Sequence, residues 1–247
     1  MSQFKKIALI TGANKGIGFE TARQLAGLGV HVIIGGRNDD LINSAVNKLS
    51  SEGLDVEALL VDITDSDSIK RAAQSISERH GHLDILINNA GIRIEEYGLT
   101  PSQQPMQKWR DTFNTNLFGM VELTITLLDL IKKSDAGRIV NVSSLLASLS
   151  IHTDKDSYAY SPYFKSLPAY SASKSAVNSW TVHLAYELRD TAIKVNAVHP
   201  GYTITDMNEG EGVIDVKDGA KSSVIMALLD ENGPNGTYTH MNENIGW

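Results

Sequence analysis

Tyr170 and Lys174 stand four residues apart in Tyr170-Ser171-Ala172-Ser173-Lys174, at the start of a stretch, 169–189, long enough for a helix. On a helix that spacing puts a phenol and an ammonium on one face, one turn apart. A free phenol titrates at about 10. A nearby cation favours the phenolate, lowers that value and makes Tyr170 a general acid or base. On an ordinary amphipathic helix the same pattern is a tyrosine beside a lysine whose stem lies along apolar surface.

Partners for such a pair occur at two other places. Asn141-Val142-Ser143-Ser144 closes an apolar run, where one of the two serine hydroxyls can hold a carbonyl oxygen. Asn116 is a polar residue among Phe113, Leu117 and Val121. It either bonds the backbone or orders a water near Lys174.

A second group of residues reads as a dinucleotide site. In Thr11-Gly12-Ala13-Asn14-Lys15-Gly16-Ile17-Gly18 the glycines follow the first apolar run and open the first helical stretch. Glycines there let the backbone turn tightly and approach a pyrophosphate, which the free N–H groups of the helix's first turn face. The second apolar run ends in Gly35-Gly36-Arg37-Asn38, with no carboxylate to hold a ribose 2′-OH. Arg37 can instead clamp a 2′-phosphate, with Lys15 as a second cation. Each such contact is worth roughly 1.5–3 kcal/mol, so NADPH is expected over NADH.

Asp62, in Leu60-Val61-Asp62-Ile63-Thr64, can accept from an adenine amino group or cap a helix starting near Ser66. Ile63 falls at the same edge. Asn88-Asn89-Ala90-Gly91 closes the fourth run, where paired amides can tie strand ends together and line the ribose.

These residues need a frame that brings strand ends together. Six short apolar runs, 6–11, 31–35, 56–61, 83–87, 138–142 and 193–198, alternate with helical stretches at 17–28, 40–50, 66–79, 106–131, 169–189 and 216–230. Runs apolar at nearly every position suit strands covered on both faces, and the alternation predicts a doubly wound Rossmann α/β fold with helices on both sides of a parallel sheet. No repeat, low-complexity tract or Pro/Gly/Ser-rich linker divides the chain, so residues 1–247 are expected to form a single domain. Segments 149–167 and 203–215 fit no regular unit; both follow strands and are either walls of a substrate site or solvated loops.

Composition narrows the chemistry. The 247 residues contain no cysteine, which excludes disulfides, thiolate metal sites and cysteine nucleophiles. A formal net charge of −7 supplies no broad basic field for nucleic acid. No apolar run reaches the roughly 18 residues of a membrane span, and Met1-Ser2-Gln3-Phe4-Lys5-Lys6 leads directly into the first run without room for a signal peptide. A soluble, cytoplasmic protein is expected.

Taken together, Thr-Gly-x-x-x-Gly-x-Gly, Asn-Asn-Ala-Gly, the Ser-Ser strand end, Tyr-x-x-x-Lys and Pro200-Gly201 resemble, in order, the motifs of the short-chain dehydrogenase/reductase family, from Ile7 to about Met207. The resemblance implies Ser144, Tyr170 and Lys174 as catalytic residues, with Asn116 as a fourth. It also implies that Lys174 binds the nicotinamide ribose and lowers the Tyr170 pKa, with Tyr170 among the cofactor-binding residues, that Pro200, Gly201, Thr203 and Thr205 embrace the nicotinamide amide, and that Asp62 and Asn89 contact adenine and ribose. A sheet of about seven parallel strands, with a last strand near 237–239, is implied as well.

One feature departs from the family pattern. Ser144 and Tyr170 stand 26 positions apart, farther than in most members. An insertion at a similar place occurs in monomeric carbonyl reductases, whose Thr-Gly-x-Asn-Lys-Gly-Ile-Gly turn this chain shares. Because the insertion lies beside the helix that other members use to assemble tetramers, monomer and homo-oligomer both stay open. Its aromatics, Tyr158, Tyr160, Tyr163 and Phe164, either cover the substrate or pack on the surface.

The expected activity is reversible transfer of a hydride between NADP(H) and a small ketone, aldehyde or alcohol, without a metal. Two alternatives share these motifs: an alcohol dehydrogenase or C=C reductase of the same family, and a non-catalytic NADP(H) sensor.

Overall fold

The computed structural model describes residues 5–247; residues 1–4 of the expected domain lie outside the described residues. Four βα steps come first: β1 (Ile7–Thr11) and α1 (Gly16–Gly27), β2 (His31–Gly36) and α2 (Asp39–Ser51), β3 (Val56–Leu60) and α3 (Ser66–His80), β4 (Ile85–Asn88) with α4 (Met106–Phe113) and α5 (Met120–Ile131), then β5 (Arg138–Val142). The short α6 (Pro162–Lys165) and the long α7 (Pro168–Glu187) lead to β6 (Lys194–Val198). The chain ends with α8 (Val216–Gly219), α9 (Lys221–Ala227), β7 (Tyr238–His240) and β8 (Glu243–Asn244).

All the strands join one sheet in the order β3-β2-β1-β4-β5-β6-β7-β8. Seven are parallel, and β8 returns antiparallel against β7 through Thr239↔Asn244 and His240↔Glu243. The β8 strand lies beyond the expected seven; two residues carry too little pattern to be read. Strand order reverses at β1 and β4, which pair through Ala8↔Ile85. The crevice beyond the carboxyl ends of these two strands is where such sheets receive ligands.

Alternation along the strands builds two cores. Ala8 and Ile10 of β1 join Leu25 of α1, Ile42 of α2 and Met226 of α9 on one face. Ile7 and Leu9 join Ile76 of α3, Leu127 of α5 and Leu184 of α7 on the other. Successive strand side chains point to opposite faces, so each central strand is apolar throughout because it serves both cores. Fully burying a side chain such as Leu25 or Leu127 contributes roughly 1.5–3 kcal/mol.

Two helices differ from expectation. The single helix expected over 106–131 is interrupted by a π-helical turn at Asn114–Gly119, between α4 and α5. A Cβ on Gly119 would lie 2.1 Å from the Ile63 carbonyl oxygen, so the glycine lets this turn press against the end of β3. The helix expected over 216–230 is split into α8 and α9 and stops at Ala227. Arg138 of β5 takes the Leu229 carbonyl through Nη2 at 2.8 Å and the Asp230 carbonyl at 3.1 Å, drawing that backbone out of the helix.

Candidate active site

The glycine turn, strand ends and loop 203–215 enclose a cleft of about 850 Å³ running from Arg37 to Tyr170. Gly12 has φ +63 and Gly16 φ +59, left-handed values that favour glycine. A Cβ on Gly18 would lie 2.4 Å from Asn89 Nδ2 and 2.7 Å from the Gly12 carbonyl. The turn therefore packs directly on the end of β4, and α1 begins without a side-chain cap on its first turn. Those free N–H groups and the close backbone suit an anionic pyrophosphate.

The amides after β4 divide their work. Asn88 donates to Asn141 Oδ1 at 2.8 Å and to Thr124 Oγ1 at 2.9 Å, tying β4 to β5 and α5. Asn89 donates to the Thr11 carbonyl at 2.8 Å, and the Ala90 N–H reaches Thr11 Oγ1 at 3.0 Å, so Asn89, Ala90 and Gly91 line the cleft on a braced backbone. Asn14, Ile17 and Ile63 line it too.

Asp62 also faces the cleft, accepting from the Thr64 N–H at 2.9 Å and the Thr64 hydroxyl at 2.7 Å. The capping alternative for Asp62 is corrected: Asp65 is the N-cap of α3, accepting from the Asp67 N–H at 3.0 Å. Arg37 is exposed at the cleft edge and makes no ion pair among the described residues. Lys15, expected beside it, instead meets Asp206 at 2.7 Å across the cleft mouth. Both are well exposed, and a pair of that kind holds weakly enough to exchange partners.

Beyond β6, Pro200 and Gly201 lead into a turn in which Thr203 Oγ1 donates to the Pro200 carbonyl at 3.1 Å. The Thr205 N–H donates to Asn208 Oδ1 at 3.0 Å, and the Thr205 methyl lies 3.9 Å from where a Gly16 Cβ would stand, facing the glycine turn.

The other end of the cleft is built on β5 and α7. Ser143 is turned away: its hydroxyl donates to Asn178 Oδ1 at 2.7 Å in the core. Ser144 is the serine that faces Tyr170. The peptide joining Ser144 to Leu145 is held on both sides, its carbonyl accepting from the Tyr238 hydroxyl and its N–H donating to His199 Nδ1 at 3.1 Å. His199 is buried beside His240, and burial holds its imidazole down at about 3, so it stays neutral and accepts.

Tyr170 and Lys174 are both buried on α7. Lys174 Nζ lies 5.9 Å from the Tyr170 ring centre and donates to the Val142 carbonyl at 2.7 Å. The expected lowering of the phenol is reversed: burial pushes Tyr170 up, while the Ser144 hydroxyl and the Arg93 guanidinium pull it down. Burial also brings Lys174 down, to about 8. Desolvation exceeds the charge effects because both groups lie in the same dry wall.

Asn116 sits on the π-helical turn. Its Oδ1 accepts from the Ile92 N–H at 2.7 Å, while Nδ2 donates to the Ile92 carbonyl at 2.9 Å and to Ser173 Oγ at 3.0 Å. Backbone bonding, one of the two alternatives for Asn116, is thus present. A Cβ on Gly91 would stand 3.4 Å from both Asn116 Oδ1 and Lys174 Nζ, which leaves the two side chains as neighbours.

The insertion before Tyr170 is aromatic on its inner side. Tyr158 stacks on Tyr202 at 6.2 Å, and Phe164 meets Tyr202 edge-on at 5.7 Å; all three line the cleft. Tyr160 turns outward under Lys165, and Tyr163 accepts from Arg93 Nη1 at 2.7 Å. The segment both lines the site and packs on itself.

Arg93, Glu95, His199 and Tyr238 were not singled out from sequence. Glu95 Oε1 accepts the Tyr170 N–H at 2.6 Å and seats the start of α7. The charges of Arg93 and Glu95, set in the otherwise apolar Ile92-Arg93-Ile94-Glu95, are a signal that could have marked them. His199 and Tyr238 carry no comparable pattern.

A doubly wound sheet with a glycine turn at its reversal point and a serine, tyrosine and lysine beside it defines the class: a dinucleotide-dependent oxidoreductase. A model of the short chain dehydrogenase family matches residues 6–212, and the chain belongs to this family, whose members act on CH–OH and C=O groups. It is 38% identical over 224 residues to "Short-chain dehydrogenase anuI" of Penicillium roqueforti, covering 89% of this chain and 87% of the relative. It is 31% identical to (+)-neomenthol dehydrogenase of Arabidopsis thaliana, covering 94% and 95%. Among solved structures, NADPH-bound carbonyl reductase from chicken fatty liver superposes with a TM-score of 0.85 at 26% identity, covering 98% of this chain and 99% of that one.

Proposed function

We propose that this chain reduces a ketone or aldehyde to an alcohol with NADPH, reversibly. The observation that carries this reading is the meeting of Ser144, Tyr170 and Lys174 at one end of a cleft whose other end opens on Arg37. The glycine cradle, the uncapped start of α1 and the exposed Arg37 fit a 2′-phosphorylated dinucleotide. Gly12, Asn14, Gly16, Ile17 and Gly18 would hold its pyrophosphate; Asp62, Ile63, Asn89, Ala90 and Gly91 its adenine and riboses; Pro200, Gly201, Thr203 and Thr205 its nicotinamide end. NADPH, when bound, supplies the hydride.

The chain's own residues handle the oxygen and the proton. Ser144 donates to the substrate oxygen, and Tyr170 passes its phenolic proton to that oxygen as charge develops there. Lys174 holds positive charge behind the phenol, stabilising the phenolate left after transfer. Asn116 orders the neighbouring backbone and the water from which the proton is restored. Tyr158, Phe164 and Tyr202 form the apolar wall against which the substrate lies.

Tyr170→Phe removes the proton donor and little volume. It should bind NADPH as the parent does and lose NADPH oxidation with a panel of aliphatic, aryl and cyclic ketones by roughly two to four orders of magnitude. Parent-like turnover in this variant would overturn the mechanism. Failure of the parent on every ketone and aldehyde would favour the sensor.

A further inference from the structure

At the opposite edge of the sheet, where the parallel strands begin, His31 opens β2, Glu57 is the second residue of β3 and His80 ends α3. One ligand atom from each lies within 4.8 Å of the others. The cleft lies beyond the carboxyl ends of the strands, so the proposed chemistry uses none of the three.

The hydrogen bonding here is incomplete in an informative way. His31 Nδ1 meets Asp55 Oδ1 at 2.9 Å, which in a neutral ring makes Nδ1 the donor and leaves Nε2 with a lone pair. That Nε2 is buried without a hydrogen-bond partner among the described residues and faces Glu57 Oε1 at 3.6 Å. A nitrogen lone pair opposite a carboxylate oxygen calls for a cation between them: a proton, which Glu57 and Asp55 favour by raising the His31 pKa, or a metal ion. The 3.6 Å separation is long for a hydrogen bond. It is close to the roughly 3.3 Å between two ligands of a tetrahedral ion with bonds of about 2.0–2.1 Å.

We propose that His31 Nε2, His80 Nε2 and Glu57 Oε1 bind a divalent ion of the zinc class, with water as the fourth ligand. The surrounding groups suit that role. Asp55 on the far ring nitrogen of His31 is the carboxylate that commonly orients and strengthens a metal-bound imidazole. Arg79 Nη1 holds Glu57 Oε2 at 3.0 Å, leaving Oε1 as the single oxygen offered inward. His80 Nε2 now donates to Oε1 at 2.7 Å, so binding releases that proton to solvent and opens the contact by about 0.6 Å toward the ligand spacing of a tetrahedral ion. The three side chains are partly exposed, at 19%, 24% and 15%, so the cluster borders solvent. Because the ligands come from β2, β3 and α3, the ion would fasten this edge of the sheet and act on stability.

The test uses the full-length, untagged protein, stripped with EDTA and titrated with zinc chloride by calorimetry. One equivalent should bind, and the thermal midpoint should rise with zinc. His31→Gln, Glu57→Gln and His80→Gln should each weaken binding at least tenfold, and Asp55→Asn by roughly 10–100-fold. Ring-nitrogen resonances of His31 and His80 in the parent, followed by NMR during the titration, give the same answer should a variant fail to fold. Absence of stoichiometric uptake would overturn the proposal. So would uptake that the variants leave unchanged, or ring resonances that respond to pH and not to zinc, which would make the cation a proton. NADPH oxidation in the variants is read separately, and the ketone-reduction reading stands or falls without this site.

Discussion

Lys174 is held at about 8 by burial, below the ordinary lysine value of 10.5, so it carries its charge at neutral pH and loses it over a window enzymes can be assayed in. Ketone reduction needs the phenol protonated and the ammonium charged. Both conditions hold at low pH, and the second fails as pH rises through about 8. The pH–rate profile for reduction should therefore fall above about 8, and in Lys174→Arg, whose guanidinium stays charged, the fall should move to higher pH. The stability contribution has the opposite sign: between about 8 and 10.5 the unfolded chain binds the extra proton, so stability rises with pH across that interval.

Ser144 depends on the peptide that carries it. Tyr238→Phe removes one of the two bonds on that peptide and leaves the ring stacked on Trp247 at 5.7 Å. One net hydrogen bond is worth about 0.5–1.5 kcal/mol. The variant's kcat should fall by up to about tenfold with NADPH affinity unchanged; an equal loss in both would show that Tyr238 supports the fold and not Ser144.

At the scale of elements, Arg138 opens β5 and is 2% exposed. Among the described residues it has no carboxylate partner; its nitrogens bind the carbonyls of Gly137, Ala192, Leu229 and Asp230. One side chain thus joins β5, the approach to β6 and the end of α9. Burial lowers its pKa, with Asp230 opposing. Arg138→Met keeps much of the packing and orphans the Ala192 and Leu229 carbonyls, each costing about 1–3 kcal/mol, while those of Gly137 and Asp230 keep the Lys194 and Gly233 N–H groups. A net loss of about 3 kcal/mol is expected, or roughly 6–12 °C in Tm by calorimetry. The sequence 138–142 reads as an apolar strand with a charge at its start, and nothing in that pattern says the charge is inside. The π-helical turn was hidden for the same reason, since Asn114–Gly119 continues the helical period on both sides and only contact with Ile63 marks it.

For the whole molecule, the cleft joins the ends of β1, β2, β4, β5 and β6, so a ligand filling it should stabilise the chain as a unit. A ligand at 100 times its Kd adds about 2.7 kcal/mol, or roughly 5–11 °C for a chain of this size. NADPH should raise Tm more than NADH at equal concentration, and Arg37→Ala should remove the difference. Equal shifts from both nucleotides in the parent would remove Arg37 from cofactor selection.

The sequence by itself determined the doubly wound fold, because apolar runs at strand length and glycines at the first strand-to-helix turn are local patterns. It also placed the serine pair and Tyr170-Lys174 on elements that could bring them together. The family resemblance already pointed to Ser144; only the tertiary structure decided that Ser143 turns into the core, that burial raises the phenol, and that Lys15 reaches Asp206. It alone showed the Tyr238 and His199 bonds on one peptide and the cluster of His31, Glu57 and His80. Each of these depends on partners between 23 and 191 positions away in the chain, such as Glu57 for His80 and Asp206 for Lys15. Periodicity reports which face a residue occupies; which atoms meet across the sheet, and how much water is left between them, is settled when the layers pack.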